Sequence, residues 1–130
     1  MRIEMTNEEI CNKVEQLKEA FPLGGGERIP ISINFFIQKN IDILENLYRE
    51  IENAKMSIGK KYGKLDEDGQ YVVPNEKSNE AMTELSELYN LTQSFEISGV
   101  SQSNLFDKEE VTRMTSEQVK AILFMVEEDK

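Results

Sequence analysis

Positions 33, 37, 40, 44, 47, 51, 54 and 58 follow one another at spacings that alternate four and three without a break. They read Ile33, Ile37, Asn40, Leu44, Leu47, Ile51, Ala54 and Ile58. A stripe of this kind is what a long amphipathic helix presents when it buries one narrow face against other helices. Ile29, Ile31, Ile33 and Phe35 also alternate as a short strand would, so the start is ambiguous. Length decides for a helix from about Ser32 to Tyr62, a rod of roughly 45 Å at ~1.5 Å per residue. Gly59 and Gly63 mark its fraying end. Phe35, Phe36, Ile41, Ile43 and Tyr48 lie off the stripe and widen its apolar face. More than one neighbour is therefore expected. Asn40 interrupts the stripe and is read as a buried amide that sets register or pairing, in preference to a ligand contact.

Shorter elements flank the rod. Thr6 with Glu9 three residues on forms a capping box, and Ile10, Val14, Leu17 and Phe21 continue a helix over 6–21 that Pro22 stops. Leu23-Gly24-Gly25-Gly26 is a hinge or turn; no Lys-Ser/Thr follows it, as a phosphate loop would require. Asp68-Gly69 ahead of Tyr71-Val72-Val73 signals a hairpin. Asp66-Glu67-Asp68-Gly69 matches a calcium loop poorly: its glycine comes too early, and Lys77 stands where the closing glutamate belongs. Ala81, Leu85 and Leu88, with Met82 and Tyr89 beside them, mark a third helix over 76–90. Phe95 to Gly99 runs with period two and reads as a strand that could pair with Tyr71–Val73. The polar stretch Ser101–Arg113 has Leu105 and Phe106 as anchors. Thr115 with Gln118 caps a last helix over 115–128, with Val119, Ile122, Leu123 and Val126 on its buried side. Phe124 and Met125 leave that helix apolar most of the way round, which suggests a partner or a packed corner.

The chain, residues 1–130, reads as one mainly α domain: a long central helix packed with three shorter helices, plus a small β-hairpin or strand element. A homodimer is expected, because the rod outreaches its shorter neighbours. No stretch approaches the ~20 apolar residues of a membrane span. The start, Met1 to Thr6, lacks the apolar core of a signal peptide, so a cytoplasmic location is expected.

Charge and composition narrow the chemistry. Of the net charge of −10, residues 1–63 carry −1 and residues 64–130 carry −9. Such a surface disfavours direct nucleic-acid binding. The chain has no histidine and one cysteine, Cys11. It therefore lacks the usual neutral-pH base and the commonest transition-metal ligand, and no intrachain disulfide can form. No metal or cofactor is expected. The carboxylate pairs Glu8-Glu9, Glu109-Glu110 and Glu127-Glu128 read as surface. No constellation supports an enzyme.

Three stretches together resemble a family of small uncharacterised proteins of tailed phages and prophages of Gram-positive bacteria. Ile29-Pro30-Ile31 continuing to Lys39-Asn40 and Leu44-Glu45 is similar to the family's lead-in to a long helix. Lys61-Tyr62-Gly63 through Asp66-Glu67-Asp68-Gly69-Gln70-Tyr71 is similar to its hairpin, and Met114-Thr115-Ser116-Glu117-Gln118 through Phe124-Met125 to its closing helix. The resemblance implies a phage gene product acting in the host bacterial cytoplasm or built into a virion. It carries no activity over to any residue.

Two functions remain in view. The first is a non-enzymatic protein-binding module, an accessory or morphogenesis factor that pairs with itself or with a host or phage protein. Its sharpest form inhibits a host defence protein, docking its acidic half in a nucleic-acid-binding groove. The partner-facing residues would then be Asn40, Phe124, Met125, Glu109 and Glu110. The second is an oligomeric sponge for a nucleotide immune signal, whose anion would need Arg28, Lys39, Arg49, Lys60 and Lys61.

Overall fold

The computed structural model describes residues 1–21, 29–103 and 114–128. Among them 67% are helical, and the long helix packs against shorter ones as the apolar stripe requires. Strand β1 (Arg2–Thr6) runs into helix α1 (Asn7–Ala20). Thr6 ends the strand and caps the helix. Its Oγ1 accepts from the Glu9 amide at 3.1 Å, while Glu9 Oε1 accepts from the Thr6 amide at 3.2 Å. Helix α2 (Ile31–Tyr62) has 32 residues. With no side-chain cap, the Pro30 carbonyl takes the first amides, from Ile33 at 3.0 Å and Asn34 at 2.9 Å. Hairpin β2–β3 (Lys64–Leu65, Tyr71–Val72) follows, then a 3-10 turn (Asn75–Lys77) and α3 (Ser78–Asn90). After these come β4 (Thr92–Glu96), β5 (Val100–Ser101), α4 (Ser116–Ile122), a 3-10 turn (Leu123–Met125) and β6 (Val126–Glu127).

The core lies where α1, α2 and the closing segment meet. Ile10, Leu17, Ile37, Leu44, Ile122 and Met125 are its largest fully buried side chains. Ile33 and Ile51 extend the buried stripe of α2, whereas Leu47, Ala54 and Ile58 are half-buried. Helix α1 packs on α2, α3 and α4, and the turn after α4 reaches α2 through Met125.

Two expectations need correction. The strand around Phe95 does not pair with Tyr71–Val73. It lies antiparallel to β1, in the register Arg2↔Glu96, Ile3↔Phe95 and Met5↔Gln93. Tyr71–Val72 is already taken by Lys64–Leu65 in the hairpin. What pulls β4 to β1 is Asn7, a buried side chain at the start of α1. It donates to the Leu88 carbonyl at 2.7 Å and accepts from Gln93 Nε2 at 2.6 Å, while its amide donates to the Leu91 carbonyl at 2.9 Å. The strand also breaks at Ile97–Gly99 before β5 resumes.

The last helix does not run from 115 to 128. Its capping box forms as expected between Thr115 and Gln118. The coil then tightens after Ile122, and Val126–Glu127 extends parallel to Val100–Ser101. A helix over these residues would forgo that pairing and swing Met125 out of the core. At the hairpin, Gly69 sits at φ +79°, and Asp66 Oδ1 accepts from the amides of Asp68 and Gln70, both at 2.9 Å. This is the turn that Asp-Gly signals. The hinge Gly24–Gly26, the stop at Pro22 and the anchors Leu105 and Phe106 lie outside the described residues.

Candidate functional site

Residues proposed as partner contacts are placed very differently from one another. Asn40 is wholly buried. Its Nδ2 donates to the Ser98 carbonyl at 2.7 Å and to Met125 Sδ at 3.3 Å, and its Oδ1 accepts from the Ser98 amide at 2.8 Å. Asn40 therefore cannot meet a partner. It sets register within the chain, joining α2 to the Ser98 loop and to the closing segment. Met125 is equally buried and belongs to the core rather than to a contact surface. Both corrections share one cause, the 3-10 turn that aims Met125 inward at the Asn40 amide. Phe124 is half-buried beneath Lys13, whose Nζ lies 5.1 Å from the ring centroid. Burial also pushes Lys13 below the usual lysine range. Glu109 and Glu110 lie outside the described residues.

The cations proposed for an anionic ligand do not converge. Arg28 lies outside the described residues. Lys39 and Arg49 are exposed on α2, ten positions or about 15 Å apart, and Lys60 follows eleven positions on. Lys61 turns to Glu84 at 2.5 Å and stacks over Tyr62. None of the four lines a groove described below.

A polar cleft of about 380 Å³ opens between α1 and α3, lined by Glu8, Cys11, Asn12, Glu15, Ser86, Tyr89 and Asn90. Burial pushes the Cys11 thiol up, and the nearby carboxylates of Glu52 and Glu15 push it the same way. Glu52 likewise raises Tyr48. Tyr89 and then Glu52 hold Lys55 above the usual lysine range. The thiol is thus kept protonated at neutral pH, the opposite of what a nucleophile needs. Alkylation by iodoacetamide at pH 8 is expected to be slower in the folded chain than in urea, because the thiolate is the reacting form. The two rates should approach each other as pH rises past the folded thiol's range; equal rates at pH 8 would contradict the assignment.

At the far end of α2 the surface is apolar instead. Two adjoining grooves share Lys55 and Gly59. One, of about 230 Å³, runs between α2 and α3 over Ile58, Val73, Ala81, Met82 and Leu85. The other, of about 390 Å³, runs between α2 and the hairpin over Met56, Gly69 and Tyr71. The bare Gly59 backbone forms the shared floor; a Cβ there would sit 3.7 Å from Tyr71 Cβ. Leu65 and Tyr71, directly paired across the hairpin, share its groove-side face. Met56 (56% exposed), Leu65 (61%) and Met82 (63%) have no cover.

No candidate residue named from the sequence falls in these grooves. A signal was present. A hairpin of two residues per strand is too small to bury Leu65 and Tyr71 itself, and Met82 stands beside the Ala81–Leu85–Leu88 face. Methionine is over-used where a surface must adapt to a partner, since its unbranched thioether fits many shapes. Other exposed apolar residues, Ile31, Phe35 and Phe36, cluster at the start of α2.

Among the described residues, no group of three or more His, Cys, Asp or Glu is placed to hold a metal ion, and no helix is long and apolar enough to cross a membrane. Comparison with protein-family models, with curated proteins and with solved structures gives no match.

Proposed function

We propose that this chain is a non-enzymatic protein-binding module, a phage accessory or morphogenesis factor. The observation that carries the reading is the pair of apolar grooves at the distal end of α2, floored by Gly59 and rimmed by Met56 and Met82. Exposed apolar side chains grouped along adjoining grooves are of the kind that marks a protein contact. Their geometry suits apolar anchors from a partner. The phage origin rests on the resemblance of the Ile29–Glu45, Lys61–Tyr71 and Met114–Met125 stretches alone.

A photo-crosslinking amino acid at position 82 tests it in the cell. Irradiation should yield a discrete covalent adduct with protein, and the same probe at the exposed Glu19 of α1 should not. Absence of any adduct at position 82, in growing or infected cells, would overturn the reading.

A further inference from the structure

Nine lysines fall among the described residues, and eight of them are exposed. Lys13 alone is half-buried. Its place follows from the helix that carries it. Lys13 stands three positions after Ile10 and four before Leu17, both closed to solvent, so it flanks the face that α1 turns to the core. There its Nζ lies 5.1 Å from the centroid of the Phe124 ring, which belongs to the closing segment. A lysine stem laid along apolar surface ordinarily carries its ammonium out to water or to a carboxylate.

No carboxylate meets this one. A partner exists in the sequence: Glu9 stands one helical turn before Lys13, the favourable order for an ion pair. Glu9 is committed elsewhere, since its Oε1 accepts from the Thr6 amide in the capping box. Lys13 instead donates to the neutral side-chain amide of Gln16, with Oε1 at 2.8 Å. Among the described residues it forms no ion pair. An aromatic face and one amide oxygen are what the ammonium receives in exchange for water. Loss of solvent shifts the group toward the neutral amine.

We propose that Lys13 is an acylation site, which takes its acyl group from a donor of the acyl-phosphate class, and that the modification releases Phe124. A lysine desolvated against apolar surface is a better nucleophile than an exposed one, because the neutral amine is the attacking form. Lys13 first gives a proton to water. Its lone pair then attacks the acyl carbon. A C–N bond forms, the C–O bond to phosphate breaks, and one amine proton leaves with the phosphate as hydrogen phosphate. Nothing is oxidised or reduced. The product is a neutral amide with no charge to hold over the ring, so α1 loses its tie to the closing segment at Phe124. The inference stands apart from the binding reading, because Lys13 lines neither distal groove.

The experiment treats the purified full chain with acetyl phosphate at neutral pH and follows the occupancy of each lysine by peptide mass spectrometry. Lys13 should gain acetyl ahead of the exposed Lys39, Lys60 and Lys120. That lead should be lost in urea, where every lysine is solvated. Gln16→Glu supplies the missing carboxylate at an exposed position and should remove the lead with the fold intact. For the tie to Phe124, Lys13→Gln should speed hydrogen exchange at Leu123–Met125, whereas Lys13→Arg, which keeps the charge, should not. Acetylation of Lys13 no faster than that of the exposed lysines, or a lead that survives Gln16→Glu, would overturn the site. Exchange unchanged by Lys13→Gln would overturn the release of Phe124.

Discussion

Asn40→Ala should lower the unfolding free energy by about 3 kcal/mol, read as a fall in the urea midpoint at constant slope. The side chain satisfies both the amide and the carbonyl of Ser98 and has no access to water. Its removal leaves two part-buried backbone groups without their partner, each at a cost of about 1–3 kcal/mol at most, and a small cavity besides. Hydrogen exchange at the Ser98 amide should accelerate, and with it exchange in β5–β6, which begins two residues on. Asn40→Asp separates charge from shape. A carboxylate can still accept from the Ser98 amide, but it would face the Ser98 carbonyl and lose its water. Burial raises the pKa of such a group in the folded state, so the native chain binds more protons than the unfolded one. Stability of Asn40→Asp should therefore fall as pH rises through the unfolded carboxylate range, whereas wild type shows no such term from this site. A neutral effect of Asn40→Ala would mean that this amide does not hold the closing segment.

Leu44→Ala should cost about 3 kcal/mol, within the range for a fully buried leucine. Leu44 is in the middle of the stripe, closed off from solvent by α1 and by the closing segment. The same stripe is only half covered at Ile58, so Ile58→Ala should cost roughly 1 kcal/mol in the monomer, in proportion to the area it buries. Urea midpoints for the pair decide whether cover along α2 is graded from centre to distal end. Equal costs at the two positions would show that the distal end is as closed as the centre.

The helices and their caps were legible in the chain because they depend on neighbours close in sequence. The stripe from Ile33 to Ile58 predicted α2 to within one residue at its start. The boxes Thr6–Glu9 and Thr115–Gln118 predicted two helix starts, and Asp68-Gly69 predicted the turn at which φ becomes positive. Even Asn40 was legible as a buried amide. The alternation of Arg2-Ile3-Glu4-Met5-Thr6 signals β1, although the capping signal at Thr6 overshadows it.

What could not be read was every pairing between distant segments. Whether Phe95 lies against Tyr71 or Ile3 depends on where α3 delivers the chain, and Asn7 settles that from eighty-one positions away. Whether Met125 faces solvent or core depends on a 3-10 turn whose reward is a parallel bridge to Val100 and a contact with Asn40. The candidate site belongs to the same class, since Met56, Leu65, Tyr71 and Met82 become one surface only when the hairpin and α3 fold back along α2. Local periodicity and capping chemistry act over three or four residues, so the sequence by itself determined which segments are helical and which edge of each is apolar. The choice of which edges meet, and which remain uncovered, balances long-range burial against unsatisfied backbone groups, and only the tertiary structure decided it.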